Sequence, residues 1–275
     1  MDEPQQERRQ RGRPRAFKPS PDAAQVQALD RGLAVLGVVA AADGLSLSEI
    51  AASSGLAPST AYRMLTTLEA HGMVEFDKAE QLWSVGVGAY RTGAAFLRRR
   101  KLVDRARGIM QELVEETGET ANLGVAEPDC VVFVTQVETH QAIRAFFRPG
   151  ARSPLHASGI GKAVLAFMPE PRLEALIKSA GLDAYTTRTL AEPASLRRDL
   201  AAVRARGWAL DDEERHDGMR CVAAPIFDEQ GQAVAGVSVS GPTVRMTPER
   251  AEAVAPMVVA AAAAITASIG GVAPG

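Results

Sequence analysis

Hydroxyl and guanidinium side chains are concentrated in one short segment of this 275-residue chain, residues 58–67. Ala61, Leu65 and Leu68 recur at helical spacing and predict an apolar face, which leaves the polar side chains on the opposite face. Hydroxyls can hydrogen-bond phosphates and base edges, and a guanidinium can bind guanine or phosphate through two hydrogen bonds. The pattern predicts a helix that enters the major groove of DNA. The predicted contact residues are Ser59, Thr60, Tyr62, Arg63 and Thr66.

A basic arm at the N-terminus is a second group that can bind a polyanion. Residues 1–24 contain almost no large apolar side chains and are expected to be disordered in isolation. Arg11, Arg13 and Arg15 alternate with Gly12 and Pro14, as in the AT-hook core, where arginines point into a narrow A·T minor groove. The alternative is a solvated charged tail, and under both interpretations the arm attracts phosphates.

Small polar residues of the second half form a third candidate group. Two of them lie where a glycine-containing loop enters a predicted helix, and the first N–H groups of a helix can bind an anion. Two serines are two positions apart on a predicted strand and therefore face the same side. Taken singly, each member also has a structural explanation, such as a core thiol or a turn cap. The members are Gly159, Ile160, Asp211, Cys221, Ser238 and Ser240.

Enzyme and metal chemistry are weaker alternatives for the same region. Cys221 with His156 or His216 could act as nucleophile and base in a small-molecule-processing cysteine enzyme, but nothing in the sequence supplies a third, orienting group. Glu214, His216 and Asp217 with Cys221 offer metal-ligand types, although the acidic run that contains them is more typical of a solvated loop. We therefore predict no catalytic residue, no metal and no cofactor.

The elements that must position the first group follow from periodicity. Helices are predicted near residues 25–42, 46–54 and 58–71, and a short hairpin follows at residues 74–85. Leu29, Leu33 and Leu36 share one face of the first helix. Two short helices around a tight glycine turn, followed by a hairpin, predict a winged helix-turn-helix over residues 25–86. A three-helix protein-interaction domain is the alternative.

The second half mixes strands and helices and predicts an α+β domain with an antiparallel sheet over residues 103–270, joined by a linker helix at 87–102. Residues 130–137 and 142–148 are predicted to be paired strands. The alanine-rich segment 251–269 predicts a buried or interface helix, not a membrane span.

Two cysteines and the lack of an apolar N-terminal segment predict a cytoplasmic protein without a secretory signal. The net charge of -2 is unevenly distributed, because residues 1–101 are net basic and the remainder is net acidic. The basic half is the one that carries the predicted DNA-reading helix.

Several segments resemble the IclR family of regulators, and the match runs in order over nearly all of residues 25–270. The resemblance implies a GAF-like effector-binding domain, a linker helix, and dimers that often pair into tetramers, so we expect a homo-oligomer. The segments that carry it are residues 29–33, 59–63, 156–163, 211–214 and 218–226.

The same resemblance implies a ligand. The third group matches positions that IclR-type regulators of glyoxylate metabolism use to hold a small oxoacid. We therefore expect double-stranded promoter DNA and glyoxylate, or a similar small oxoacid, as partners, with no membrane contact. Within the family, the arm and this set favour an activator of glyoxylate and carbon metabolism genes. A repressor that responds to pyruvate or an aromatic acid is the alternative.

Overall fold

The computed structural model describes residues 26–99 and 102–274, and side chains are not described from 94 to 99. The predicted basic arm, with Arg11, Arg13 and Arg15, lies outside the described residues. The chain divides into two compact units, one up to Phe96 and one from Leu97 onward. The domain boundaries given above stay predictions.

The first unit is the expected helix-turn-helix with a hairpin. Ser46 accepts a hydrogen bond from the Glu49 N–H group and the Glu49 side chain accepts from Ser46, which starts the second helix. Gly55, at φ +65°, ends that helix and makes the tight turn to the third. The elements are α1 (Gln27–Ala40), α2 (Leu47–Ser54), α3 (Pro58–Ala70), β1 (Val74–Asp77) and β2 (Leu82–Val85), and α4 (Val87–Arg99) follows them.

The leucine face of α1 supplies only part of the core of this unit. Val35 and Val39 are fully buried against α2, α3 and the hairpin. Leu29 and Leu33, by contrast, are 62% and 57% exposed. Leu36 is partly buried and packs against that core, so only the first two leucines of the predicted face leave an apolar stripe on the surface.

The second unit is built on one antiparallel sheet of six strands in the order β5-β4-β3-β8-β7-β6. The central pair joins β3, the first strand of the sheet, to β8, its last. Its elements are α5 (Leu102–Thr117), β3 (Thr120–Ala126), β4 (Cys130–Val137), β5 (Arg152–Pro154), α6 (Gly159–Leu165), α7 (Glu170–Ala180), α8 (Pro193–Arg206), β6 (Ala209–Asp212), β7 (Met219–Phe227), β8 (Ala233–Pro242) and α9 (Pro248–Ser268).

Both faces of this sheet are covered by helices. On one face, Val222, Ala224 and Ile226 pack in a cluster with residues of α5 and α9. On the other face, Ala223 packs with residues of α6, α7 and α8. Neighbouring residues of β7 enter different clusters because successive side chains of a strand point to opposite faces. The α+β class with an antiparallel sheet is thus confirmed.

Helix α9 is long and apolar enough to cross a membrane by length and composition alone. Its side chains Val254, Val258 and Ile265 are fully buried in the cluster formed with α5 and the sheet. A core helix passes the same test of length and composition, so this helix is weak evidence for a membrane span.

Two local predictions differ from the structure. Residues 142–148 are not a strand, and β5 (Arg152–Pro154) pairs with β4 instead. The Phe147 N–H group donates to the Gln136 side-chain oxygen at 2.8 Å, so this segment is held by a side chain and not by a strand ladder. Helix α5 (Leu102–Thr117) is an element of its own, for which no helix is predicted above.

Candidate DNA-reading helix and ligand cavity

Helix α3 presents the predicted DNA contacts on its outer face. Ala61 and Leu65 are fully buried, whereas Tyr62 is 54% exposed. The Thr66 hydroxyl donates to the Tyr62 carbonyl oxygen at 3.0 Å, so it can only accept a hydrogen bond from DNA. Ser59, Arg63 and Thr66 are exposed and Thr60 is partly exposed, and their contact with DNA stays a prediction.

The hairpin that follows α3 has the geometry of a small wing. The Asp77 carboxylate accepts hydrogen bonds from the N–H groups of Ala79 and Glu80 at 2.7 and 3.1 Å and shapes its tip. Trp83 is buried, and its ring lies 4.7 Å from that of Phe76. The wing is therefore anchored at its base and exposed at its tip.

All six residues of the third group line a single cavity in the second unit. Its empty volume is about 440 Å³, which includes open space at its mouth. The structure thus brings together residues that are spread along the sequence from Gly159 to Ser240, although their binding of a ligand stays a prediction. The remaining lining residues are Phe133, Phe147, Ser153, Ser158, Arg215, His216, Met219 and Arg220.

A row of polar side chains crosses four strands of the sheet, and its members Ser240, Cys221 and Asp211 form the cavity floor. Thr120 pairs with Ser240, Ser240 with Cys221, and Cys221 with Asp211. Directly paired residues of antiparallel strands point to the same face, so these four side chains lie side by side. Ser238 belongs to the next row on that same face, beside Asn122 of β3.

The start of α6 lies directly above this floor. A Cβ atom on Gly159 would lie 2.9 Å from Cys221 Sγ and 3.1 Å from the Ala223 Cβ atom, closer than side chains pack. The Ser158 hydroxyl accepts from the Gly161 N–H group at 3.1 Å and donates to the Pro154 carbonyl oxygen at 3.0 Å. Glycine at position 159 is therefore what lets the helix approach the sulfur.

Hydrogen bonding on the floor is incomplete. The Asn122 side-chain NH₂ donates to Ser240 Oγ at 3.2 Å. Ser238 is 1% exposed and its hydroxyl oxygen has no partner within the described residues, and the same holds for Asn122 Oδ1. A buried polar group without a partner costs about 1–3 kcal/mol. Two such atoms beside one cavity indicate a site that a polar ligand completes.

Burial changes the protonation of the two titratable groups in the floor. It raises the pKa of Asp211 to about 6. Burial, assisted by the charge of Asp211, raises the pKa of the Cys221 thiol to about 11. At neutral pH the thiol is protonated and the carboxyl group is mostly ionised. Asp211 also accepts from the Glu214 N–H group at 2.8 Å, so it caps this turn while it lines the cavity.

The acidic run after β6 is not a solvated loop throughout. Glu214 is 5% exposed, and its carboxylate lies 2.5 Å from the ammonium group of Lys162, which is 1% exposed. Asp199 of α8 lies 2.9 Å from the same nitrogen. Burial alone would lower the pKa of Lys162, but the two carboxylates outweigh it and raise that pKa. The charge cluster fixes this turn behind the cavity.

An aromatic pair forms the apolar wall, which the sequence does not reveal. The rings of Phe133 and Phe147 stack at 4.5 Å. Phe147 lies in the irregular segment for which alternation predicts a strand, so no pattern points to its role. The Phe147 ring occupies space at the cavity wall, so the cavity accepts only small ligands.

The residues of the enzyme and metal alternatives are only partly brought together. His216 lines the cavity with Cys221, whereas His156 is not a lining residue and its Nε2 lies 3.0 Å from the Asp183 carbonyl oxygen. Among residues 26–99 and 102–274, no group of three or more His, Cys, Asp or Glu side chains is placed to hold a metal ion. The carboxylate of Glu214 is instead bound to Lys162.

Comparison with family models assigns both units. Residues 28–78 match the model described as the IclR helix-turn-helix domain. Residues 94–267 match the model described as the bacterial transcriptional regulator IclR C-terminal domain.

Individual relatives agree with these models. The chain is 51% identical over 257 residues to the HTH-type transcriptional regulator BhcR of Paracoccus denitrificans, which covers 92% of each chain. It is 39% identical to the transcriptional repressor IclR of Escherichia coli, over 95% of this chain and 96% of the repressor. The crystal structure of Thermotoga maritima IclR is similar with a TM-score of 0.71 and 33% identity, over 88% of this chain and 98% of that one. These proteins are transcription regulators, not enzymes.

Proposed function

Because this chain belongs to the IclR family of bacterial transcription regulators, we propose that its cavity binds glyoxylate or a similar small oxoacid and that this binding alters its hold on promoter DNA. The helix-turn-helix makes it a DNA-binding protein. For the contacts themselves, we propose Ser59, Thr60, Tyr62, Arg63 and Thr66 on α3, with Arg11, Arg13 and Arg15 of the arm.

The unpartnered hydroxyl of Ser238 is the observation that carries the ligand proposal. It lies in a cavity with the Ser240 hydroxyl, the Cys221 thiol and the first residues of α6. These groups are neutral hydrogen-bonding partners, and Asp211 supplies one acceptor. Such a set suits a ligand with several oxygen atoms on two or three carbons.

Charge and size support a small carboxylate. Arg215 lines the cavity, and its guanidinium carbon lies 3.8 Å from the centre of the Tyr185 ring, so one positive charge is held beside the cavity. The stacked rings of Phe133 and Phe147 limit the length of the ligand that the cavity can hold. A ligand with few heavy atoms gains at most about 1.5 kcal/mol from each, so we expect micromolar or weaker affinity.

Isothermal titration of the full chain with glyoxylate, pyruvate and an aromatic acid tests this proposal, with and without promoter DNA. Ser238→Ala should weaken glyoxylate binding about tenfold or more while stabilising the free protein or leaving it unchanged, because it removes an unpaired buried hydroxyl. Ser240→Ala is the matched control for stability. It should destabilise the protein, because it leaves the Asn122 NH₂ group without its acceptor.

Two outcomes would contradict the assignment. If Ser238→Ala titrates like the unmodified protein, the ligand binds elsewhere. If no oxoacid binds at about 1 mM, the effector class is wrong and only DNA binding remains.

We propose activation of glyoxylate and carbon metabolism genes as the regulatory outcome, in the cytoplasm and as a symmetric oligomer. Repression does not follow from the comparisons, because the chain is more similar to a protein named only as a regulator than to the E. coli repressor. It stays the alternative. Deletion of the gene should lower transcription of the target promoter for an activator and raise it for a repressor.

A further inference from the structure

Cys221 lines the cavity, so a ligand bound there would contact its sulfur atom. It stands in the polar row between Ser240 and Asp211, and the backbone of Gly159 covers it closely. The hydroxyl of Ser238, nine-tenths or more buried and without a partner within the described residues, opens into the same cavity. A thiol and an unpaired hydroxyl therefore face one small ligand from one surface.

We propose that Cys221 holds the effector by a reversible covalent bond, in which its thiol adds to the aldehyde carbon of glyoxylate. This inference rests on the proposed function, because it takes an oxoacid with an aldehyde group as the ligand. It differs from that function in the kind of bond that it assigns to the sulfur.

Addition to the free aldehyde, which forms when hydrated glyoxylate loses water, is balanced without an oxidant, reductant or leaving group. The sulfur–carbon bond forms, the π bond of the carbonyl group breaks, and the thiol proton passes to the carbonyl oxygen. The product is a hemithioacetal with one new hydroxyl group. Ser238 is placed to hydrogen-bond that hydroxyl, which gives its own unpaired oxygen a partner.

The groups around the sulfur favour reversible addition of the thiol over a catalysed conversion of the ligand. The nucleophile is the thiolate, and burial raises the pKa of the Cys221 thiol, so the addition needs a base that takes the thiol proton as the sulfur–carbon bond forms. The Asp211 carboxylate, in direct register with Cys221, can accept that proton and return it to the carbonyl oxygen. The reverse step needs no other reactant, so the effector leaves when its concentration falls.

The chemistry also predicts selectivity among small acids. Aldehyde carbons accept thiols more readily than ketone carbons, since a ketone adds a second carbon substituent at a crowded centre. Glycolate has the same carbon skeleton as glyoxylate and no carbonyl group to attack. Glyoxylate should therefore depend on the sulfur, whereas pyruvate and glycolate should depend only on hydrogen bonds.

Carbon-13 NMR of the full chain with [2-¹³C]glyoxylate tests the bond directly, without any variant. Free glyoxylate in water is hydrated, with two oxygens on the labelled carbon. A carbon bound to one sulfur and one oxygen resonates upfield of that hydrate, and we expect this signal in the complex. Cys221→Ser should abolish it. Cys130→Ser is the matched control and should retain it, because Cys130 is the only other cysteine and does not line the cavity.

Calorimetry on the same proteins gives a second measurement. Cys221→Ser should weaken glyoxylate binding about tenfold or more, and should change the affinity for pyruvate and glycolate by less than about threefold.

Three results would overturn the inference. Bound glyoxylate that appears only as hydrate or free aldehyde in the unmodified protein excludes the adduct and leaves the proposed function intact. Equal glyoxylate affinity of a folded Cys221→Ser variant does the same. Failure of glyoxylate to bind the unmodified protein at about 1 mM excludes the adduct and the proposed effector together.

Discussion

Among the residues of α3 predicted to contact DNA, Arg63 is the one whose side chain could make two hydrogen bonds to a single guanine. It lies on the exposed face, opposite the buried Ala61 and Leu65. A guanidinium that makes two hydrogen bonds to guanine contributes about 1–3 kcal/mol of discrimination, whereas a hydroxyl contributes to several contacts without specifying one.

Arg63→Ala should therefore weaken binding to the promoter by about 1–3 kcal/mol and weaken binding to unrelated DNA less. Fluorescence anisotropy with promoter and scrambled fragments measures both. Arg197→Ala is the matched control for the removal of one positive charge. Arg197 lies on α8, outside the helix-turn-helix, and its Nε donates to Glu174 Oε1 of α7 at 2.9 Å. Unchanged promoter affinity in a folded Arg63→Ala protein would remove this residue from the interface.

Asp211→Asn should change how stability depends on pH. Burial raises the pKa of Asp211 from 3.8 to about 6, so the folded state binds its proton more tightly than the unfolded chain does. Its contribution to stability is complete below about pH 4 and is lost as the pH rises to about 6. Asparagine has no such loss and can still accept from the Glu214 N–H group.

Urea unfolding at several pH values measures this difference. The variant should gain about 1–2 kcal/mol over the unmodified protein above about pH 6, and the gain should vanish towards pH 4. A gain that does not vary with pH would show that the carboxyl group is not the cause.

The two floor serines show what a sequence can and cannot predict for single residues. Their spacing predicts a shared face, and the structure places both in the cavity. The spacing does not predict that Ser240 has a hydrogen-bond partner and that Ser238 has none within the described residues. The partner of Ser240 is Asn122, which lies 118 residues away in the sequence. Pairing across strands depends on sheet order, which local pattern does not contain.

Helix α6 is the element on which the cavity depends. It is only seven residues long, and its residue Gly159 sits against the Cys221 sulfur and Ala223. The strands below α6 cannot move without breaking the hydrogen bonds between them. A side chain at position 159 must therefore displace the helix away from the sheet.

Gly159→Ala should destabilise the protein by about 1–3 kcal/mol, as overpacked cores are, and should abolish the response to the effector. Thermal unfolding and titration calorimetry measure the two effects. Gly108→Ala is the control, because nothing lies within 4 Å of its added Cβ atom on α5, and it should be neutral or stabilising. Normal effector binding by Gly159→Ala would show that α6 accommodates the added methyl group without changing the cavity.

Elements are predicted well where a pattern is both periodic and bounded. Helices α2 and α3 and strand β4 begin and end close to the predicted residues. Helix α5 also carries a helical pattern of buried residues, Leu102, Ala106, Met110 and Leu113, but the basic run before it is typical of the end of a linker helix. The strand predicted at residues 142–148 is wrong because a side-chain acceptor on Gln136 replaces the ladder there.

At the scale of the whole molecule, charge separates the two halves of the sequence. The arm contributes six positive charges between residues 8 and 18 without an acid among them. Deleting residues 1–24 should flatten the dependence of log K on log salt, by about 0.9 for each phosphate that the arm neutralises. Binding assays at several salt concentrations measure the slope, and an unchanged slope would show that the arm does not bind DNA.

A symmetric oligomer is the second prediction at this scale. One helix-turn-helix covers little DNA, and a dimer reads two half-sites. We expect apolar faces on α4 and α9 to pair, and the exposed stripe at Leu29 and Leu33 is a further surface to cover. Light scattering at micromolar protein should give a multiple of the 29.1 kDa chain mass. A monomeric mass would refute the prediction.

The pairing of β3 with β8 has a consequence for the order of events during synthesis. All residues of the helix-turn-helix and wing have left the ribosome once Val85 has emerged, long before the sensing half is complete. The cavity floor cannot exist until β8, which ends at Pro242, inserts between β3 and β7. A nascent or prematurely ended chain therefore contains the predicted DNA-reading helix without a formed cavity, and we expect such a product to bind DNA without responding to the effector.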